Sequence, residues 1–219
     1  MARFAQIIPM NWETKGFDVN YHVLGYGIDD AYNLITQKII EWDAEWLLII
    51  EDDVIVPNDL LLKVAEYMED GTIPVMSGVY YLRASPTRPM IFRGRGTGSY
   101  MKWKPGDKVW CDGLPMGCLL IHCSILKYMY PKAEPYRAHD GAKLNRLFES
   151  PHKITYDVNT GFFGTKQGTQ DLAFFERVIN DKVLKHTGWD KIARKKYPFL
   201  CDTSIFCRHI DRNTGRQYP

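Results

Sequence analysis

Apolar and polar residues follow two different periods along this chain. Tyr32, Ile35, Ile39 and Trp42 recur at helical spacing, and Asp29 and Asp30 stand where the positive end of a helix favours acids, which predicts a first helix. The run Trp46 to Ile50 is short and apolar throughout, the pattern of a buried strand, and it stops abruptly at Glu51-Asp52-Asp53. After Val54-Ile55-Val56-Pro57, Asn58 is placed to cap a second helix with the apolar face Leu61, Val64, Ala65 and Met68, closed by Gly71. Helix, strand, acidic turn and helix in succession predict an α/β fold.

Farther on, Ile73 to Tyr81 and Pro89 to Phe92 read as strands around the loop Arg83-Ala84-Ser85-Pro86-Thr87-Arg88, with a glycine-rich stretch, Gly94 to Gly98, behind them. Val109 to His122 is strand-rich and contains Gly113 and Gly117, where a ligand or backbone is expected to approach closely. A short helix is expected from Ser124 to Tyr130, another from Gln170 to Leu184, and a last strand from Phe199 to Cys207. Residues 131–168 show no sustained periodicity and predict a long, mobile or acceptor-facing loop. No repeat or linker divides the chain, so residues 1–219 are expected to form a single domain.

Composition alters this picture in two ways. The five cysteines, Cys111, Cys118, Cys123, Cys201 and Cys207, cannot all pair, and several lie in apolar runs. With no bilayer-length apolar run and no secretory layout in Met1 to Phe4, they point to reduced thiols in a soluble, cytoplasmic protein. Secondly, a net charge of +2 conceals an asymmetry: residues 1–80 hold 4 Lys and Arg against 14 Asp and Glu, and the remainder 24 against 12. Such a basic surface attracts donor phosphates, nucleic acid or an anionic membrane face, or is simply solvated.

The strongest chemical signal is Glu51-Asp52-Asp53, because carboxylates at the end of a buried strand sit where α/β folds bind ligands, and hard oxygen ligands hold Mg²⁺ or Mn²⁺. The segment "WLLIIEDDVIVP" resembles the acidic metal-binding motif of the GT-A type nucleotide-sugar glycosyltransferases, family 2-like. That resemblance implies a GT-A, Rossmann-like mixed sheet flanked by helices and a Mn²⁺ or Mg²⁺ cofactor. It makes Asp53 the direct metal ligand, with Glu51 also offered to the metal and Asp52 to the donor. Ala31-Tyr32-Asn33 lies where members of the family carry Ala-Arg-Asn, so Asn33 is a donor-contact candidate although Tyr32 replaces the arginine. Gly168-Thr169-Gln170-Asp171, opening a helix, is similar to the segment that supplies the base in inverting members; it nominates Asp171 as base and Gln170 for substrate positioning. Cys207-Arg208-His209-Ile210-Asp211 offers His209 as the C-terminal metal ligand, and Asp112-Gly113-Leu114-Pro115-Met116-Gly117 is similar in placement to the segment lining donor sugar and acceptor, which nominates Asp112, Gly113 and Gly117. GT-A domains open on an apolar strand, for which Phe4 to Met10 is a short substitute, with Tyr21 to Gly25 available instead.

Each residue also has a plainer reading. Asp171 favours a helix N-terminus, with Thr169 as its cap. Asn33 is a helix amide, the glycines serve packing, and Cys201, Cys207 and His209 are a conceivable zinc set. Arg83, Arg88, Arg93 and Arg95 flank the middle loop and are offered to a diphosphate or to solvent, with Arg83 the donor-binding candidate. The expected activity is transfer of a sugar from a nucleotide-diphosphate donor to an acceptor hydroxyl, with inversion. A metal-dependent nucleotidyltransferase shares the acidic cluster, and Lys182, Lys185, Lys191, Arg194, Lys195 and Lys196 suit a basic nucleic-acid-binding module. A glycosyltransferase acting on modified bases of DNA would combine these features; glycan, protein and lipid-linked acceptors are equally compatible.

Overall fold

The computed structural model describes residues 5–11, 16–17, 21–23, 25–94 and 96–219. Expectations that rested on Met1 to Phe4, Leu24 and Arg95 lie outside the described residues.

The elements follow the periodicity closely in the first half of the chain. Strands β1 (Ala5–Asn11), β2 (Gly16–Phe17) and β3 (Tyr21–Val23) precede helix α1 (Ile28–Glu41), strand β4 (Trp46–Glu51), strand β5 (Val54–Ile55) and helix α2 (Leu60–Asp70). Next come β6 (Val75–Val79), β7 (Lys108–Cys111), β8 (Cys118–His122) and helix α3 (Cys123–Met129). In the order β2-β1-β4-β8-β6-β13-β7, these strands and β13 (Phe199–Phe206) form one sheet, with β3 also paired to β1.

Alternation along β4 assigns its two faces. Leu47 and Ile49 pack with Leu119 and Ile121 of β8 and with Ile35 and Ile39 of α1 on one side. Trp46 and Leu48 pack with Leu120, Met76 and the α2 residues Leu60, Val64 and Met68 on the other. The result is a mixed sheet with helices on both faces, and burial of each large α1 side chain contributes roughly 1.5–3 kcal/mol. Gly71 closes α2 in the left-handed conformation at φ 59°, as its position predicts.

The sheet is mixed, as expected: among the described pairs β6 and β13 run parallel and the others antiparallel. Several other expectations need correction. The opening strand is not abbreviated: β1 spans 7 residues and pairs with the full length of β4. Asp59, not Asn58, is the residue before α2, its side chain makes no capping bond, and Leu61 faces solvent. Residues 131–168 are not a structureless loop. They hold the hairpins β9 (Pro135–Arg137) with β10 (Lys143–Asn145) and β11 (His152–Asp157) with β12 (Phe162–Gln167). Ile154, Tyr156, Val158 and Phe162 are exposed on the second hairpin, so no core-facing alternation marks it in the sequence.

Helices α4 (Gln170–Asn180), α5 (Val183–His186) and α6 (Asp190–Ala193) lead into β13, after which β14 (Arg208–Ile210) and β15 (Gln217–Tyr218) complete the chain. The long helix expected over 170–184 therefore breaks after Asn180, and Lys182 takes a left-handed φ of 52°. No helix among the described residues is long and apolar enough to cross a membrane.

Candidate active site

The acidic turn at the end of β4 is brought to a distant partner by a short piece of sheet. β5 pairs antiparallel with β14, placing His209 opposite Val54, and the Ile210 amide donates to the Asp53 carbonyl at 2.8 Å. His209 Nε2 thereby comes within 3.5 Å of Asp53 Oδ2, both residues being less than a tenth exposed. The Tyr81 carbonyl, 2.9 Å from His209 Nδ1, can only accept, so Nδ1 carries a proton. In the neutral imidazole this turns the Nε2 lone pair towards a carboxylate oxygen, an arrangement that a cation between the two satisfies. The Arg83 guanidinium also reaches Asp53 Oδ2, at 2.9 Å.

Of the other two acids, neither stands free. Tyr32 donates to Glu51 Oε1 at 2.9 Å. Burial and the neighbouring Asp53 carboxylate push the Glu51 carboxyl up to about 7. Asp52 is held by Arg212, whose guanidinium meets its side chain at 2.7 Å and its carbonyl at 2.9 Å. Glu51, offered to a metal on sequence grounds, is therefore turned to Tyr32. Among the described residues no group of three or more His, Cys, Asp or Glu could by itself hold a metal ion.

An incomplete protein cage still fits the ions in question. Mg²⁺, and Mn²⁺ with similar oxygen preferences, take one or two protein ligands and complete their shells with water and substrate phosphates. Asp53 and His209 supply such a partial set, and the oriented Nε2 is the feature of this chain that suits it. Zinc bound by Cys201, Cys207 and His209 does not fit: both thiols are fully buried, burial pushes the Cys201 thiol up, a hydrogen bond with Cys118 together with burial pushes the Cys207 thiol up, and the required thiolates are thus opposed.

One cleft of about 160 Å³ gathers Glu51, Asp52, Asp53, Arg83, Gln170, Asp171 and His209, all nominated from sequence. Asp171 lies in the first turn of α4, and its Oδ1 accepts from the Leu172 amide at 2.7 Å. Burial raises the Asp171 carboxyl pKa, while hydrogen bonds from the Thr169 hydroxyl and the Leu172 amide oppose the shift. Thr169 precedes the helix but makes no side-chain capping bond. Gln170 is buried beside Ser150, which in turn donates twice to Asp29.

Four nominated residues do not reach the cleft. Asn33 is buried and brackets Phe148, accepting from its amide at 2.7 Å and donating to its carbonyl at 2.9 Å, so it pins the 131–150 chain to α1 instead of meeting a donor. Asp112 accepts the Gly94 amide with both carboxylate oxygens, at 3.0 and 3.2 Å, and closes a turn. Gly113 packs against Leu172, where a Cβ would come within 2.7 Å of that side chain. Gly117 braces the acidic strand, accepting from the Glu51 amide at 2.9 Å and donating to Tyr80 Oη at 2.7 Å. Two aromatic residues also line the cleft. Tyr32 fills the position where the resemblance implies arginine, and Tyr80 sets its ring edge-on to His209 with centroids 5.3 Å apart. Only the Tyr32 departure was a signal in the sequence; a buried tyrosine otherwise reads as core.

Among known proteins, no family model matches this chain, and no curated protein matches it either. A solved structure titled "Crystal Structure of A197 from STIV" is similar in fold, with a TM-score of 0.50 and 14% identity over 88% of this chain and 75% of that one.

Proposed function

We propose that this chain is a metal-dependent glycosyltransferase of the GT-A type that moves a sugar from a nucleotide-diphosphate donor to an acceptor hydroxyl, with inversion. The observation that carries the reading is the meeting of Asp53 and His209 at 3.5 Å in the same cleft as the buried Asp171.

Asp53 and His209 are the residues to hold Mn²⁺ or Mg²⁺. Such an ion neutralises negative charge on a departing diphosphate. Arg83, which contacts the same Asp53 oxygen, is a second positive group for those phosphates once the carboxylate is otherwise engaged. Tyr32 keeps Glu51 turned away, and Arg212 does the same for Asp52, which leaves Asp53 as the acid facing His209. Asp171 takes the proton of the acceptor hydroxyl; the freed oxygen attacks the anomeric carbon opposite the donor diphosphate. The sugar–phosphate C–O bond breaks and its electron pair stays on the diphosphate. Burial raises the basicity of Asp171 for that task.

A panel of nucleotide sugars with Mn²⁺ or Mg²⁺ tests this reading through the product released. Metal-dependent release of a nucleoside diphosphate, abolished in Asp53→Ala, is the expected result. Release of pyrophosphate would identify a nucleotidyltransferase instead, and no turnover by folded protein across the panel would reject transfer.

A further inference from the structure

We infer that the end of α4 remote from Asp171 carries a second ligand site, which takes a compact polyphosphate. Five cations named above as a basic stretch, Lys182, Lys185, Arg194, Lys195 and Lys196, line one cavity of about 360 Å³ there, with Asp190 as the sole acid in its lining. The cavity is built by the break after α4: Lys182 in its left-handed conformation turns the chain into α5, and α6 brings Arg194 to Lys196 back across it.

None of the five forms a salt bridge among the described residues. Five like charges gathered around a concavity with a single acid among them repel one another and focus a positive potential into it, and a multiply charged anion relieves that repulsion. Two of the cations are also steered by aromatic faces, Lys195 Nζ lying 4.1 Å from the Trp110 ring centroid and Lys196 Nζ 5.4 Å from that of Tyr197.

Shape selects the ligand. A duplex backbone is tracked by a stripe of cations along a face, whereas these surround a hollow floored by Val178, Leu184 and Pro198. Lys191, in the same basic stretch, is outside the lining, so the charges do not continue as a stripe. Closely spaced phosphates match that enclosure, whether as free polyphosphate or as the triphosphate tail of a nucleotide. The site is distinct from the cleft, since Val178 and Ile179 lie about 10–12 Å along the helix axis from Asp171 at 1.5 Å per residue. It does not depend on the glycosyltransferase reading.

Calorimetric titration of the full chain with inorganic tripolyphosphate, in low salt with a chelator present, tests this site. The native chain and Asp53→Asn are expected to bind alike, while Lys182→Glu/Lys185→Glu and Lys195→Glu/Lys196→Glu each weaken binding on the order of tenfold or more. Both double variants can be checked for fold by circular dichroism, the four substituted lysines being exposed. A parallel titration with a nucleoside triphosphate identifies the source: equal affinity assigns the phosphates alone, and tighter binding assigns a nucleotide. Absence of tripolyphosphate binding, binding lost in Asp53→Asn but kept in both lysine pairs, or tighter binding of duplex DNA at equal phosphate would each overturn the proposal.

Discussion

The two ends of α4 stand in opposite environments. At its start, Asp171 and Gln170 are buried, and Asp171 is held by hydrogen bonds in a cleft shared with Asp53 and His209. At its far end, exposed lysines ring a hollow with a single acid in the lining. The first arrangement fixes atoms to within hydrogen-bond distances, as chemistry on a substrate requires; the second supplies a field and little geometry, which suits binding an anion. A charge count along the chain blurs this difference, because both ends of α4 belong to the basic part of the sequence.

Under the proposed function, the sharpest division between the ends is catalytic. Asp171→Asn is expected to lower kcat by roughly 10²–10⁴-fold in nucleoside diphosphate release, the usual contribution of a general base. Lys195→Glu/Lys196→Glu, measured in the same assay with an uncharged acceptor, is expected to retain turnover. Equal losses in both would erase the distinction.

Acid is expected to loosen the basic end. His122 packs edge-on to Trp46 and Trp189, and its Nδ1 lies 2.8 Å from the Ser124 hydroxyl that also receives the Trp189 indole N–H at 3.2 Å. Trp189 immediately precedes α6, so this cluster ties the basic end to the sheet. Burial lowers the His122 pKa to about 4, with Lys127 adding to the shift. The unfolded chain then binds the proton more readily than the folded one between pH 6.5 and about 4, so stability from this residue is present above that window and lost as pH falls through it. The loss is about 2–3 kcal/mol, readable as a fall in urea midpoint that His122→Gln flattens.

Scaffold and chemistry separate at Asn33. Asn33→Ala leaves the buried Phe148 amide and carbonyl without their bracket, and a cost of about 1–3 kcal/mol in urea unfolding is expected. Donor KM of the folded fraction should stay at the native value; a large rise would restore Asn33 as a donor contact.

The smallest effect concerns Arg83. Because its guanidinium shares the Asp53 oxygen that faces His209, Arg83→Gln should tighten Mn²⁺ binding by about tenfold or less, the competing contact being partly solvent-screened. Electron paramagnetic resonance of free Mn²⁺ reads this directly, and weaker binding would show that Arg83 supports the ion instead of excluding it.

What could be read from sequence divides along physical lines. α1, β4 and α2 were legible because each buries one face or both against a single sheet, so apolar spacing states the element directly. The acidic turn was legible for the same reason, as the point where a buried run meets solvent. His209 was reached only through the family resemblance, since its place depends on the β5–β14 pairing between segments far apart in the chain. Asn33 was misassigned because a buried amide satisfied by Phe148 and a ligand-facing amide look alike until the partner is known. The hairpins within 131–168 were missed because they are short and, where Ile154, Tyr156 and Phe162 are concerned, carry their apolar residues outward.

The central claim is that Asp53 and His209 form the anchor for a metal-bound diphosphate. Crystals soaked with Mn²⁺ and a nucleoside diphosphate, examined for anomalous scattering, test it most directly. An ion between Asp53 Oδ2 and His209 Nε2, with diphosphate oxygens completing its shell, is the predicted result; a bound diphosphate without an ion there, or an ion held elsewhere in the cleft, would contradict it.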